Sequence, residues 1–273
     1  MKLRIVPART GLTWVKLGIS TFFKQPLALG GLFFMFMALV SIASIIPVIG
    51  SVIALVILPG ATLGLMVATQ EAVRGNFPMP SVLATAFRAG QARMRSMLVL
   101  GAMYAAGFLL VMGITTLFDG GQFATMYLLG GRLSKEVLQQ ADFQTAASVG
   151  MVLYLPLSLL FWHAPALVHW HGVPPAKAVF FSMVACLRNF GAFTVYGLAW
   201  SVVFLLSAMT LISALALVGL VSAAQLIMVP LALTMASMLF TSIYFTFCDS
   251  FDLAEPTDPA APPTNDADGP PLA

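Results

Sequence analysis

Residues 27–70 read LALGGLFFMFMALVSIASIIPVIGSVIALVILPGATLGLMVATQ, without a single Asp, Glu, Lys or Arg. A helix that crosses a membrane needs about 20 predominantly apolar residues, because the hydrocarbon core is about 30 Å thick and a helix rises about 1.5 Å per residue. The stretch is long enough for two crossings, and Pro47, Gly50 and Ser51 mark the turn between them. It sets the fold class: an all-α, polytopic membrane protein.

The rest of the chain agrees. Of 273 residues, 60% are hydrophobic and 8% charged, whereas a soluble domain carries about 25% charged residues. The chain cannot clothe itself in a water-compatible surface. The length test predicts spans at residues 27–47, 51–70, 96–118, 147–168, 192–218 and 221–247, the last two parted by a weak break at Gly219 and Ser222. Lys2, Arg4 and Arg9 resemble the basic end of a signal peptide, but the apolar run begins only after Pro26 and is too long for a cleavable core. The first span is therefore read as retained. Residues 1–248 form the six-span membrane domain. From Asp249 the chain carries six acids, six prolines and no base, and such a tail, 249–273, buries too little apolar surface to order itself.

Basic residues decide orientation. Of the 13, Lys2, Arg4, Arg9, Lys16 and Lys24 precede span one. Arg74, Arg88, Arg93 and Arg95 lie between spans two and three, and Lys177 and Arg188 between spans four and five. The opposite side receives only Arg132 and Lys135, in the connection Asp119–Gln144. The chain is expected in a bacterial inner membrane with both termini cytoplasmic and that connection periplasmic. The pI of about 9.0 reflects juxtamembrane residues drawn to anionic lipid, so membrane lipids are the expected partners and nucleic acid is not. Other membrane proteins or a second copy are further partners that the sequence leaves open. Cys186 and Cys248 fall on the expected cytoplasmic side, where disulfides are disfavoured.

A repeat is visible. LPGATLGLMVATQEAVRG from Leu58 and LPLSLLFWHAPALVHWHG from Leu155 each start with Leu-Pro and reach a glycine, Gly75 or Gly172, sixteen residues after the proline. Val229-Pro230-Leu231 repeats the start. The segments before spans one, three and five are half-apolar and basic. In SVLATAFRAGQARMR from Ser81, Val82, Leu83, Ala86, Phe87 and Met94 share one helical face, with Thr85, Arg88, Gln91 and Arg95 opposite. Arg93 projects from the apolar side and would have to snorkel. AKAVFFSMVACLRN from Ala176 is a more apolar version. TGLTWVKLGISTFFKQP from Thr10 places Leu12, Val15, Ile19 and Phe22 together. The pattern predicts an amphipathic interfacial helix followed by a two-span hairpin, three times over, with Arg88, Arg93, Arg95, Lys177 and Arg188 at the lipid surface.

Candidate chemistry is sparse. All three histidines lie in FWHAPALVHWHG, residues 161–172. Helical metal pairs usually stand at i and i+4, about 40° apart, whereas His163 and His169 would be about 120° apart on a continuous helix. No Asp, Glu or Cys lies beside them in sequence to complete a site. His163, His169 and His171 are thus weak metal candidates and are read as interfacial anchors with Trp170, at the end of span four. No metal, cofactor or catalytic group is expected. No carboxylate or cation sits inside a span, where transporters and intramembrane enzymes use them. Gln225 is the amide well inside a span, expected to bond a neighbouring helix. Pro59, Pro156, Pro165 and Pro230 are candidate helix breaks. Gly60 and Gly64 form a GxxxG suited to a close helix crossing, and Glu71 is placed to offset Arg74.

Trp14, Gly18, Phe22, Phe23, Lys24 and Pro26 give W-x3-G-x3-F-F-K-x-P before span one, Leu58-Pro59-Gly60 follows in span two, and Ser182 and Arg188-Asn189 precede span five. With these residues most of the chain resembles a group of six-helix bacterial inner-membrane proteins, similar to YciC-like proteins and to the membrane domain attached to some glycerophosphodiesterases. The resemblance implies a six-span bundle and no agreed activity, and the phosphodiesterase catalytic domain has no counterpart here. The leading expectation is a non-catalytic membrane protein acting through helix packing, lipid contact or partner binding. The alternative is a transporter or exporter of a small apolar or amphipathic solute, using the proline breaks. A lipid-acting enzyme ranks third, for want of a visible acid, base or activated nucleophile.

Overall fold

A computed structural model describes residues 2–46, 48–130 and 134–251. Pro47, Arg132, the Gln225 side chain and the tail from residue 252 lie outside the described residues, and so do the readings that rest on them. The chain is built from α1 (Thr10–Lys24), α2 (Pro26–Ala43), α3 (Ile49–Val73), a 3-10 turn (Pro80–Ala84), α4 (Thr85–Arg88), α5 (Gln91–Asp119), α6 (Gln122–Leu129), α7 (Lys135–Leu138), α8 (Ala141–Phe161), α9 (Ala164–His171), α10 (Pro175–Arg188), α11 (Phe190–Leu217), a second 3-10 turn (Val221–Ala223) and α12 (Ala224–Ser250). Among the described residues, six helical segments are long and apolar enough to cross a membrane: Pro26–Ala43, Ile49–Val73, Gln91–Asp119, Ala141–His171, Phe190–Leu217 and Leu226–Ser250. They match the six expected spans, with ends displaced by several residues. Charge explains the displacement. Helices run on past the apolar core into polar turns, as α3 does through Gln70 and Glu71 and α5 does from Gln91 through Arg93 and Arg95.

Small residues help to dock the half-apolar segments: glycines beside Trp14 and Phe22 in α1, and a wholly small face in α10. α1 buries Gly11, Trp14, Val15, Gly18, Thr21 and Phe22, while Leu12 is exposed. α10 buries Ala178, Ser182, Ala185 and Cys186 and leaves Phe180 and Leu187 outward. Small residues let backbones approach closely in a membrane, where lipid already satisfies large apolar side chains. A Cβ on Gly18 would stand 2.9 Å from the Cα of Ser242 in α12, and one on Gly11 would stand 2.7 Å from the Tyr196 amide nitrogen in α11.

The segment 81–95 departs from expectation. It is not one helix. The 3-10 turn and the four-residue α4 stop at Ala89 and Gly90, whose φ of 97° is readily open only to glycine. Met94 and Arg95 then belong to the long α5. Leu83 and Phe87 rest on Gly64 and Gly60 of α3: a Cβ on Gly64 would lie 2.7 Å from the Leu83 Cα, and one on Gly60 would lie 2.8 Å from the Phe87 ring. The close approach expected at this GxxxG is made by this short segment. The close span–span crossing is made by Gly101, where a Cβ would meet the Val56 carbonyl oxygen of α3.

Packing is cyclic. α1 lies against α11 and α12, the segment 80–88 against α3, and α10 against α8, α9 and α5. Each short segment thus docks on the second span of the preceding hairpin, with the last hairpin preceding the first. An N-terminal strap closes the circuit. Arg4 N–H donates to Ser250 O at 2.9 Å, and Leu3 bridges to Phe251. Buried Asn189 accepts from Val6 N–H at 2.8 Å and donates to Arg4 O at 3.1 Å. On the far side, the Asp119 carboxylate accepts the Gly121 and Phe123 amides at 2.8 and 2.6 Å. It starts α6, whose Phe123 packs on Phe143 of α8.

Candidate functional site

Span four breaks between Phe161 and Ala164. Pro165 lacks an N–H for the Phe161 carbonyl, and its ring would collide with that carbonyl in a continuous helix. The gap is filled by a side chain. His163 N–H, whose helical partner would be the Leu159 carbonyl, donates to Ser182 Oγ at 2.9 Å, and the Ser182 hydroxyl donates to Leu159 O at 2.8 Å. One hydroxyl of α10 is therefore inserted into the i→i−4 ladder, a recognised origin of sharp kinks. Cys186 Sγ reaches the same carbonyl at 3.8 Å. Burial pushes that thiol up to about 12, so it offers no thiolate for nucleophilic chemistry.

The break turns His163 inward. It is fully buried and ringed by Phe193, Phe247 and Phe251, so the interfacial anchoring expected of it is corrected. Its Nε2 lies 3.2 Å from Thr246 Oγ1. Thr246 donates to Ile243 O at 2.7 Å and accepts from Trp162 Nε1 at 3.1 Å. With the Thr246 proton committed, His163 has to donate through Nε2, and its Nδ1 is left as a bare acceptor with no hydrogen-bond partner. His169 and His171 sit at the end of α9, half-buried, beside Trp170 and Phe247 respectively. Among the described residues, no three His, Cys, Asp or Glu gather as a metal cluster.

Beside the kink, about halfway along the spans, lies a half-open cavity of about 120 Å³, lined by Pro59 and Thr62, Tyr104, Tyr154 and Ser158, and Pro165. The two tyrosine hydroxyls face each other at 3.3 Å, and Thr62 and Ser158 bond back to their own helices. No charged side chain lines it. A larger cleft of about 380 Å³ opens between α2 and α3 under the segment 80–87, bounded by Phe36, Leu39, Ile57, Leu83, Ala84 and Phe87. Its walls are apolar.

The expected breaks divide accordingly. Pro165 marks the real one. Pro59, Pro156 and Pro230 sit inside unbroken α3, α8 and α12, where adjacent helices and local adjustment can absorb the lost hydrogen bond. Arg88, Arg93, Arg95, Lys177 and Arg188 are all exposed on the side that carries the N-terminus. Glu71 meets Arg74 at 3.4 Å, as expected, and accepts from Asn76 at 2.8 Å.

The chain is 37% identical over 269 residues to a protein of Burkholderia thailandensis named probable inner membrane protein, covering 97% of this chain and all of that one. This chain belongs to that protein's family. No family model matches, and no solved structure matches.

Several residues of this membrane-protein family member carry structure that spacing alone did not reveal. Thr246 and Trp162 meet across 84 positions. Trp14 Nε1 donates to the Asp249 carboxylate at 2.7 Å across 235, which fixes the start of the acidic tail. Gly101 is one glycine among 22, with no motif around it. Asp119 did carry a local signal: an acid, two glycines and then an apolar run, as at a helix N-cap.

Proposed function

We propose that this chain is a non-catalytic inner-membrane protein that acts through helix packing and lipid contact, with both termini cytoplasmic. The carrying observation is the apolar cleft between α2 and α3. At about 380 Å³ it falls within the range of small-molecule sites, about 300–1,000 Å³. Its apolar walls suit an acyl chain and offer nothing to a polar solute. The protonated, carbonyl-bound Cys186 and the self-bonded hydroxyls of the mid-span cavity fit an absence of catalysis. Kinship with the YciC-like group belongs to the same reading: Trp14, Gly18, Ser182 and Asn189, which carry the resemblance, all dock one element on another here. So does the threefold repeat, with its short segments at the lipid–water boundary.

The transport alternative rests on the cavity beside the kink. Its 120 Å³ falls below the range of small-molecule sites, about 300–1,000 Å³, and its lining holds no charge to couple transport to an ion. The cleft therefore favours lipid contact. Ala84→Phe should fill the cleft without touching the kink. Purified, delipidated parent should rebind diacyl lipid in native mass spectrometry, and Ala84→Phe should lose that retention. Equal retention by both proteins would sink the cleft as a lipid seat.

A further inference from the structure

The segment 80–88 has a second side. Pro80, Leu83, Ala84 and Phe87 face the apolar cleft, whereas Ser81, Thr85 and Arg88, with His169 of α9, line a separate open pocket of about 380 Å³. The two share no lining residue. Arg88 is exposed, and among the described residues no carboxylate pairs with it, while Glu71 pairs with Arg74. The Ser81 and Thr85 hydroxyls make no hydrogen bond within the described residues, and His169 Nδ1 is buried with no hydrogen-bond partner. No Asp or Glu lines the pocket.

A guanidinium, two free hydroxyls and an imidazole thus line one space with no carboxylate among them. Such a set matches an oxyanion with several acceptor oxygens, and a planar guanidinium fork suits phosphate in particular. We propose that Arg88, with Ser81, Thr85 and His169, forms a binding site for a phosphate group. The phosphate belongs either to a lipid headgroup or to a soluble ion. The site rests on the lipid-contact reading for the first source alone, since the donors are present whatever fills the cleft.

The test uses the full chain in detergent and three probes: phosphatidylglycerol, diacylglycerol with the same acyl chains, and inorganic phosphate. Binding of the lipids is read by native mass spectrometry, and of inorganic phosphate by the shift in thermal unfolding. For a headgroup site, phosphatidylglycerol is retained over diacylglycerol. Arg88→Gln, which removes a charge-assisted hydrogen bond, weakens it roughly tenfold. Ser81→Ala with Thr85→Ala weakens it by a smaller factor, and Lys24→Gln, an exposed charge of the same side, leaves it unchanged. For a soluble-phosphate site, both lipids are retained alike, and inorganic phosphate stabilises the parent but not Arg88→Gln. Equal weakening by Arg88→Gln and Lys24→Gln would mean diffuse attraction and overturn the site. So would the absence of both headgroup preference and a phosphate shift. Failure to retain either lipid would sink the acyl cleft, with the phosphate arm still deciding the site.

Discussion

Ser182 shows what a single hydroxyl can decide in a helix bundle. It lies 19 residues from His163 and 23 from Leu159, yet it bridges the His163 N–H and the Leu159 carbonyl at the break that Pro165 marks. Nothing local in sequence marks it: the proline is legible, its partner is not, because the contact depends on how α10 docks. Ser182→Ala would orphan His163 N–H in a buried site and leave Leu159 C=O only the weak Cys186 thiol, at about 1–3 kcal/mol for the orphaned group. His163→Leu removes a polar group whose Nδ1 already lacks a partner, so it should cost less, with the lost Thr246 bond contributing about 1 kcal/mol. Thermal unfolding in nanodiscs gives the order. If His163→Leu proves the more damaging, the imidazole holds the kink and Ser182 merely follows. Metal content is a separate matter: changing His163, His169 and His171 together to Gln should leave the stoichiometry of bound Zn²⁺ or Fe as in the parent, measured by elemental analysis. A stoichiometric metal lost with the histidines would contradict their structural role.

Among the elements, the six spans were legible because hydropathy and charge are one-dimensional signals, and the whole of 27–70 carries them. The docking of the short segments was not. Large apolar side chains dominate a helical wheel, but in α10 the protein-facing side is the small one while Phe180 and Leu187 look outward, and in α1 Gly11 and Gly18 make the close approaches beside Trp14 and Phe22 while Leu12 looks outward. The glycine seats were legible as a motif at Gly60 and Gly64 but their neighbour was not, since GxxxG says that something approaches closely and not what. Gly101 and Gly113, on the same helix α5, make the distinction measurable. A Cβ on Gly101 would clash with the Val56 carbonyl, whereas one on Gly113 meets nothing within 4 Å. Gly101→Ala should therefore cost about 1–3 kcal/mol of packing strain. Gly113→Ala should be neutral or gain up to about 1 kcal/mol from helix propensity. Equal effects on chemical unfolding would show that α3 and α5 can slide apart to admit a methyl group.

At the scale of the whole molecule, orientation and order are the open dimensions. With both termini cytoplasmic, Gln139→Cys should react with an impermeant thiol reagent on intact spheroplasts and Phe77→Cys should not, in a background lacking Cys186 and Cys248. Both positions are exposed, and neither needs the positive φ of Gly75 or Gly121. The reverse labelling would invert the topology. Order is the subtler question. α1 docks on α12, the last of the described helices, and the two are pinned by Trp14 to Asp249 and by the strap from Arg4 to Ser250. The described ends of the chain therefore meet on one side of the membrane, and the circuit of docked segments has no privileged start. A circular permutant that begins at Pro78, joins Phe251 to Lys2 through a short flexible linker and ends at Phe77 keeps every span in its direction. It also keeps every short segment beside its seat. It should insert and unfold within a few degrees of the parent, because the cut falls at the end of the exposed run 73–77. Trp14→Phe, which leaves Asp249 without its donor, should destabilise parent and permutant alike, by about 1.5–3 kcal/mol for a hydrogen bond to a charged group. A permutant that fails to insert while Trp14→Phe inserts normally would show that α1 has to precede the spans during synthesis. The closed ring would then be a consequence of assembly order rather than its basis.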